Sequence, residues 1–169
     1  MSTSLQHKIV SFVLFNLLWL SAVAGRGDYL WLTIVLAIAQ FAYSYWIAEI
    51  PVKKMAQLLA VGLLLEAIAI SLGAIDFVGS VFPLWLALLW VGFAAMAPVA
   101  LDWLVKMPFV AALLGAVSGP FTYYVGLGFG AGTAESLFFT LLVYAVVWGL
   151  FMLFFCRAMR ASPNERLVL

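Results

Sequence analysis

Residues 134–156 read AESLFFTLLVYAVVWGLFMLFFC, and the twenty positions from 137 to 156 carry no charged side chain. A helix rises about 1.5 Å per residue, so a run of this length reaches across the roughly 30 Å hydrocarbon core of a bilayer. Five more runs of the same kind lie upstream, at 9–25, 29–48, 55–75, 82–104 and 108–128. The chain of 169 residues is 67% hydrophobic and only 9% charged, whereas about a quarter of the residues in a soluble domain are charged. The connections between runs, such as Gly25 to Asp28 and Glu49 to Lys54, are too short to hold a soluble domain. The runs are continuous and do not alternate, which excludes a membrane β-barrel. The sequence therefore predicts an all-α, polytopic membrane bundle of six transmembrane helices, forming one integral membrane domain over 1–169.

Eight basic residues against seven acidic ones leave no basic stripe for nucleic acid. Their placement is informative, because Lys and Arg collect in cytoplasmic loops. With the N-terminus inside, Lys8, Lys53, Lys54, Lys106, Arg157, Arg160 and Arg166 share one side and Arg26 alone takes the other. Both termini are thus expected to be cytoplasmic. An alternative reading takes the first run as a cleaved signal peptide ending at Ala22-Val23-Ala24, which would leave five spans. Asn16 in the middle of that run argues against it. Cys156 is the only cysteine and His7 the only histidine, so no disulfide framework is available and no metal or other cofactor is expected.

The polar and charged residues at the ends of each run fix its midpoint. The first run is centred beside Asn16, the second beside Gln40, the third at Glu66, the fourth near Trp90 and Gly92, the fifth near Ser118, and the sixth near Tyr144 and Trp148. These groups share one depth. Glu66 is the carboxylate deep inside a span, where an ionised acid costs about 3 kcal/mol on insertion scales. Gly62, Ala69, Ile70 and Gly73 lie on its helical face, and such a small-residue stripe turns the acid toward another helix. Asn16, Gln40, Ser118 and Tyr123 are its candidate hydrogen-bond partners. Two readings stand: a proton-carrying or substrate-contacting acid in a central pocket, or a neutral acid that only fixes helix register.

In the fifth run Ala111, Gly115 and Gly119 recur every four residues, a spacing that permits close helix packing. Pro120 removes one backbone donor there, so the run is expected to be interrupted around Ser118-Gly119-Pro120. Tyr123 and Tyr124 either close a pocket mouth or sit at the membrane interface, and the glycines from Gly126 to Gly132 suggest a flexible turn. Three spans on either side of the Asp76 to Phe82 loop would form inverted halves, but the sixth span has no acid to match Glu66.

Several segments carry a resemblance: Asn16 to Trp19 (NLLW), the LLLE ending at Glu66, Pro83 to Trp85 (PLW), Leu89 to Ala94 (LWVGFA), Trp103-Leu104, and above all Gly115 to Gly126 (GAVSGPFTYYVG). Together they resemble a bacterial inner-membrane family known as domain of unknown function 2878. The likeness spans most of the chain, and Ala95 to Leu101, with Pro98, departs from the polar pattern seen in that family. No catalytic residue comes with the resemblance. It implies a multi-pass inner-membrane protein with a lipid connection through association with enzymes that modify fatty acyl chains. The expected function is binding or transport of a lipophilic, lipid-related small molecule in a midplane pocket lined by Asn16, Gln40, Glu66, Trp90, Ser118 and Tyr123. The alternatives are an intramembrane enzyme or accessory subunit for acyl-chain modification, and a structural partner of a membrane complex. Membrane lipids, a lipophilic small molecule and a membrane-protein partner are the partners this reading admits.

Overall fold

The structure, a computed structural model, describes residues 3–160. Among the described residues six helices form the bundle: α1 (Thr3–Gly25), α2 (Leu30–Ala42, continued by a π-helical turn Tyr43–Ile47), α3 (Val52–Ser71), α4 (Leu84–Ala100), α5 (Pro108–Gly128) and α6 (Leu137–Met159). Two short strands, β1 (Asp76–Phe77) and β2 (Gly132–Thr133), pair antiparallel between the C-terminal ends of α3 and α5. Among the described residues five helices are long and apolar enough to cross a membrane, and the chain is a multi-pass membrane bundle.

The fourth helix is shorter than the expected run over 82–104. It stops at Ala100, and Asp102–Lys106 forms a 3-10 turn before Met107, with non-helical backbone, leads into Pro108. Proline disfavours helical backbone at the residue before it, which ends the segment there. α4 is nevertheless the centre of the bundle. From Gly92 to Ala100 every residue is buried, as expected of a helix apolar on all sides. It packs on α1, α2 and α3, and faces α6 across an aromatic layer in which Trp90 stacks on Trp148 at 5.2 Å between ring centroids and Phe93 meets Phe151 at 5.6 Å.

Helices α3 and α5 end alike. Gly73 and Gly130 each adopt φ of 72°, and the following amides reach back, Ala74 N–H to Ala69 O at 3.1 Å and Ala131 N–H to Gly126 O at 3.0 Å. This C-cap requires a left-handed residue, which glycine adopts without a side-chain penalty. The glycine-rich segment after α5 is therefore a built cap and strand, where the sequence suggested a flexible turn. A Cβ on Gly132 would run into the Asp76 carbonyl, so close strand pairing demands glycine there.

These likenesses belong to a recurrence 57 positions long. Gly62 recurs as Gly119, Glu66 as Tyr123, Ala69 as Gly126, Ala74 as Ala131 and Asp76 as Thr133; one position further, Trp90 recurs as Trp148 and Phe93 as Phe151. Corresponding residues meet each other: Asp76 pairs with Thr133, Tyr123 bonds Glu66, Trp90 stacks on Trp148. That is how two similar hairpins, α3–β1–α4 and α5–β2–α6, associate about an approximate two-fold axis. The relation is a tandem one within residues 52–159, in contrast to inverted halves of three spans each. The likeness is partial, since α5 and α6 pack together much more closely than α3 and α4 do. α3 packs directly on α6, whereas the corresponding approach of α5 to α4 is held open.

One end of the bundle carries β1 and β2; the opposite end carries Lys8, Lys53, Lys54, Lys106, Arg157 and Arg160, with Arg26 at the strand end. Arg166 lies outside the described residues. Lys8 pairs with Asp102 at 2.7 Å, and Lys54 donates to the Ala158 carbonyl at 2.5 Å. His7 Nδ1 lies 2.8 Å from the Tyr43 hydroxyl.

Candidate functional site

Glu66 faces inward from α3 and has no exposed surface. Its helix can come close because Gly62, one turn before it, presents no side chain; a Cβ there would overlap the Trp90 ring. Trp90 of α4 donates from Nε1 to Glu66 Oε2 at 3.1 Å, the Tyr123 hydroxyl of α5 donates to the same oxygen, and the fully buried Tyr144 hydroxyl of α6 donates to Oε1 at 2.7 Å. Tyr123 and Tyr144 stack with centroids 3.4 Å apart. Four helices thus supply one acid and three donors, and each carboxyl oxygen accepts at least one hydrogen bond. A buried acid is tolerated only on such terms.

Beside this cluster lies a cleft of about 130 Å³. α1 contributes Phe15, Trp19 and Val23; α4 contributes Trp85, Leu89, Trp90 and Phe93; α5 contributes Ser118, Gly119, Thr122, Tyr123 and Gly126; and α6 contributes Trp148. It occupies the place where α5 would otherwise meet α4. α1 and α5 approach each other near their C-terminal ends, where Val23 lies beside Gly126, Arg26 donates to the Phe129 carbonyl at 2.7 Å, and Trp19 meets the Phe129 ring edge-on. Ile75, Phe77 and Ala131 close the strand end. Trp90 and Tyr123 separate the cleft from Glu66: both line it, and both hold the carboxyl.

The six residues named from the sequence divide accordingly. Glu66, Trp90 and Tyr123 come together, and Tyr123 points inward while Tyr124 is exposed. Ser118 borders the cleft, but it is exposed and its hydroxyl donates to the Leu114 carbonyl at 2.7 Å. Asn16 is not a partner of Glu66: it lies on the exposed face of α1, its amide donating to the Phe12 carbonyl at 2.8 Å. Gln40 is buried elsewhere, donating to Ser11 at 2.9 Å and Ser44 at 3.2 Å, while Ser44 donates to the Ala95 carbonyl at 2.8 Å. Equal depth does not make equal direction, since each residue turns about 100° from the last around its helix.

Tyr144 and Trp148 belong to the site although the sequence reading left them out of it. Both stood at the centre of the sixth run, and Tyr144, Val147 and Phe151 mark its buried face by their spacing. Pro120 is buried, and α5 continues through it as an unbroken helix, contrary to the expected interruption. Its neighbours explain the fit: a Cβ on Gly115 would meet the Trp148 carbonyl at 2.7 Å, and one on Gly119 would overlap the Trp148 side chain. The small-residue stripe of α5 is thus consumed within the chain by α6. Among the described residues, no three His, Cys, Asp or Glu side chains gather as a metal site.

Compared with known families, residues 8–154 match the one described as "Protein of unknown function (DUF2878)". No curated protein and no solved structure matches the chain. Because the match covers most of the sequence, including all of the cleft and the Glu66 cluster, this chain belongs to the DUF2878 family of proteins of unknown function.

Proposed function

We propose that this protein binds a lipophilic small molecule, drawn sideways from the bilayer, in the cleft between α1, α4 and α5. The observation that carries the reading is the aromatic lining of that cleft, on the side where α5 and α4 do not close on each other as α3 and α6 do. A cavity of about 150 Å³ lined by apolar side chains takes up a benzene-sized guest, so about 130 Å³ suits a ring or a short stretch of chain. The remainder of a longer molecule would extend between α1 and α5 into lipid. Closure of the strand end by Arg26 and Phe129 favours holding a guest over passing it through. The internal use of the α5 glycine stripe also favours a pocket over a purely structural docking role. In this reading Glu66 positions Trp90 and Tyr123 and does not itself touch the guest. The excess of basic residues at the end opposite the strands supports a cytoplasmic location for that end, in a bacterial inner membrane.

Native mass spectrometry of the purified protein tests the proposal. Wild type and Asn16→Ala, altered on an exposed face, are expected to retain a bound lipophile of constant mass. Thr122→Trp, which fills the cleft from α5, is expected to lose it while keeping helical content and a monodisperse profile. An unchanged guest in a folded Thr122→Trp protein would overturn the reading.

A further inference from the structure

The tandem recurrence exposes a mismatch between the two tryptophans at its centre. In the first hairpin Trp90 lies over Gly62 and donates its indole N–H to Glu66. In the second, Trp148 lies over Gly119, but the position corresponding to Glu66 is Tyr123. The Tyr123 hydroxyl donates its hydrogen bond to Glu66, and only its oxygen lone pairs are left to face the indole. Trp148 Nε1 lies close to that oxygen but not in hydrogen-bonding geometry with it, and the buried indole N–H is left without a partner. The other polar groups in this part of the cleft wall are engaged: Ser118 donates to Leu114, Thr122 to Gly119 at 2.7 Å, and Trp90 to Glu66. Among the described residues Trp148 therefore supplies the buried side-chain donor of the cleft that has no partner. Buried N–H groups in folded proteins are paired in the great majority of cases, and an exception beside a cavity points to a guest that completes it.

Resting on the cleft reading above, we infer that the guest carries an oxygen acceptor, of the ketone, ester or ether class, placed against Trp148 Nε1, with its apolar body among Phe15, Trp19 and Phe93. The oxygen takes the role that the Glu66 carboxylate plays for Trp90. A plain hydrocarbon fills the same volume but leaves the indole N–H unpaired. A net hydrogen bond of ordinary strength corresponds to about a two- to tenfold preference for the oxygen-bearing molecule.

The test uses two probes of nearly equal size: acetophenone, and α-methylstyrene, in which a methylene replaces the carbonyl oxygen. Each is titrated into the full-length protein, labelled with 15N at tryptophan, in detergent micelles, with affinities corrected for partition into micelles alone. Acetophenone is expected to bind about two- to tenfold more tightly and to move the Trp148 indole proton resonance downfield, the peak being assigned by its absence in Trp148→Phe. In Trp148→Phe the preference should vanish while α-methylstyrene still binds. Equal affinities in wild type, or a Trp148 resonance unmoved at saturating acetophenone, would overturn this inference and leave the cleft reading intact. Binding of neither probe would overturn both. If Trp148→Phe fails to fold, the wild-type affinity ratio and the one indole peak that responds to acetophenone but not to α-methylstyrene still decide it.

Discussion

Removing one oxygen atom from Tyr144 should destabilise the bundle more than removing the same atom from Tyr123. Glu66 Oε1 accepts from Tyr144 alone, at 2.7 Å, whereas Oε2 accepts from both Trp90 and Tyr123. In Tyr123→Phe the carboxyl keeps a donor on each oxygen, and the loss resembles that of an average hydrogen bond between membrane helices, about 0.6 kcal/mol. In Tyr144→Phe one oxygen of an acid with no exposed surface is left bare, and the penalty for such an orphaned acceptor is about 1–3 kcal/mol. Both substitutions retain the ring, so the stack between the two side chains is preserved and does not confuse the comparison. Reversible unfolding in mixed micelles, followed by circular dichroism, gives the two free energies. The expected order is Tyr144→Phe well below Tyr123→Phe. A result in which Tyr123→Phe is equally or more damaging would refute the assignment of one donor to one oxygen and two to the other.

Alanine at Gly62 or Gly119 should each cost about 1–3 kcal/mol by overpacking against Trp90 and Trp148, while Gly128→Ala, with open space around it, should leave the unfolding midpoint at or slightly above wild type. Asn16→Ala should change stability by no more than about 0.5 kcal/mol in the same unfolding assay, because the amide serves only its own helix on an exposed face. Arg26→Ala removes the tie from α1 to the Phe129 carbonyl, and faster amide hydrogen exchange over residues 126–131 by mass spectrometry is the expected readout. Neutralising Lys8 or Asp102 should matter little, under about 1 kcal/mol and less at high salt, since Asp102 is exposed in that pair.

The helices were legible because runs of about twenty mostly apolar residues admit few other readings, and Glu66 was placed correctly because Gly62 and Ala69 share its face. Asn16 and Ser118 misled for a common reason. Each sits at the middle of its run, yet Asn16 is flanked around its helix by Phe12, Val13 and Leu20, all exposed, and Ser118 by Leu114 and Phe121, also exposed. A hydroxyl or amide that can bond a carbonyl in its own preceding turn needs no interior partner, as both do here. The tandem recurrence is hidden from a division into halves of three spans, which sets the sixth span against the third and offers no acid to match Glu66. Its true counterpart lies in the fifth, where the residue is Tyr123. The end of α4 at Ala100 was hidden by apolar residues that run on past it, even though Asp102 and Pro108 mark the change.

The meeting of position 66 with position 123 has a bearing on how such a molecule can be encoded. Two copies of one hairpin, coming from the same gene and associating on a symmetry axis, can set only like against like at the centre: acid on acid, which repel when both are ionised, or phenol on phenol, with no carboxylate between them. Joining the hairpins in a single polypeptide frees each site to change alone, and only then can a proton donor face a carboxylate across the axis. The same freedom allows one side to stay shut while the other opens, so the covalent link between α4 and α5 is what permits a single molecule to have one cleft instead of two or none.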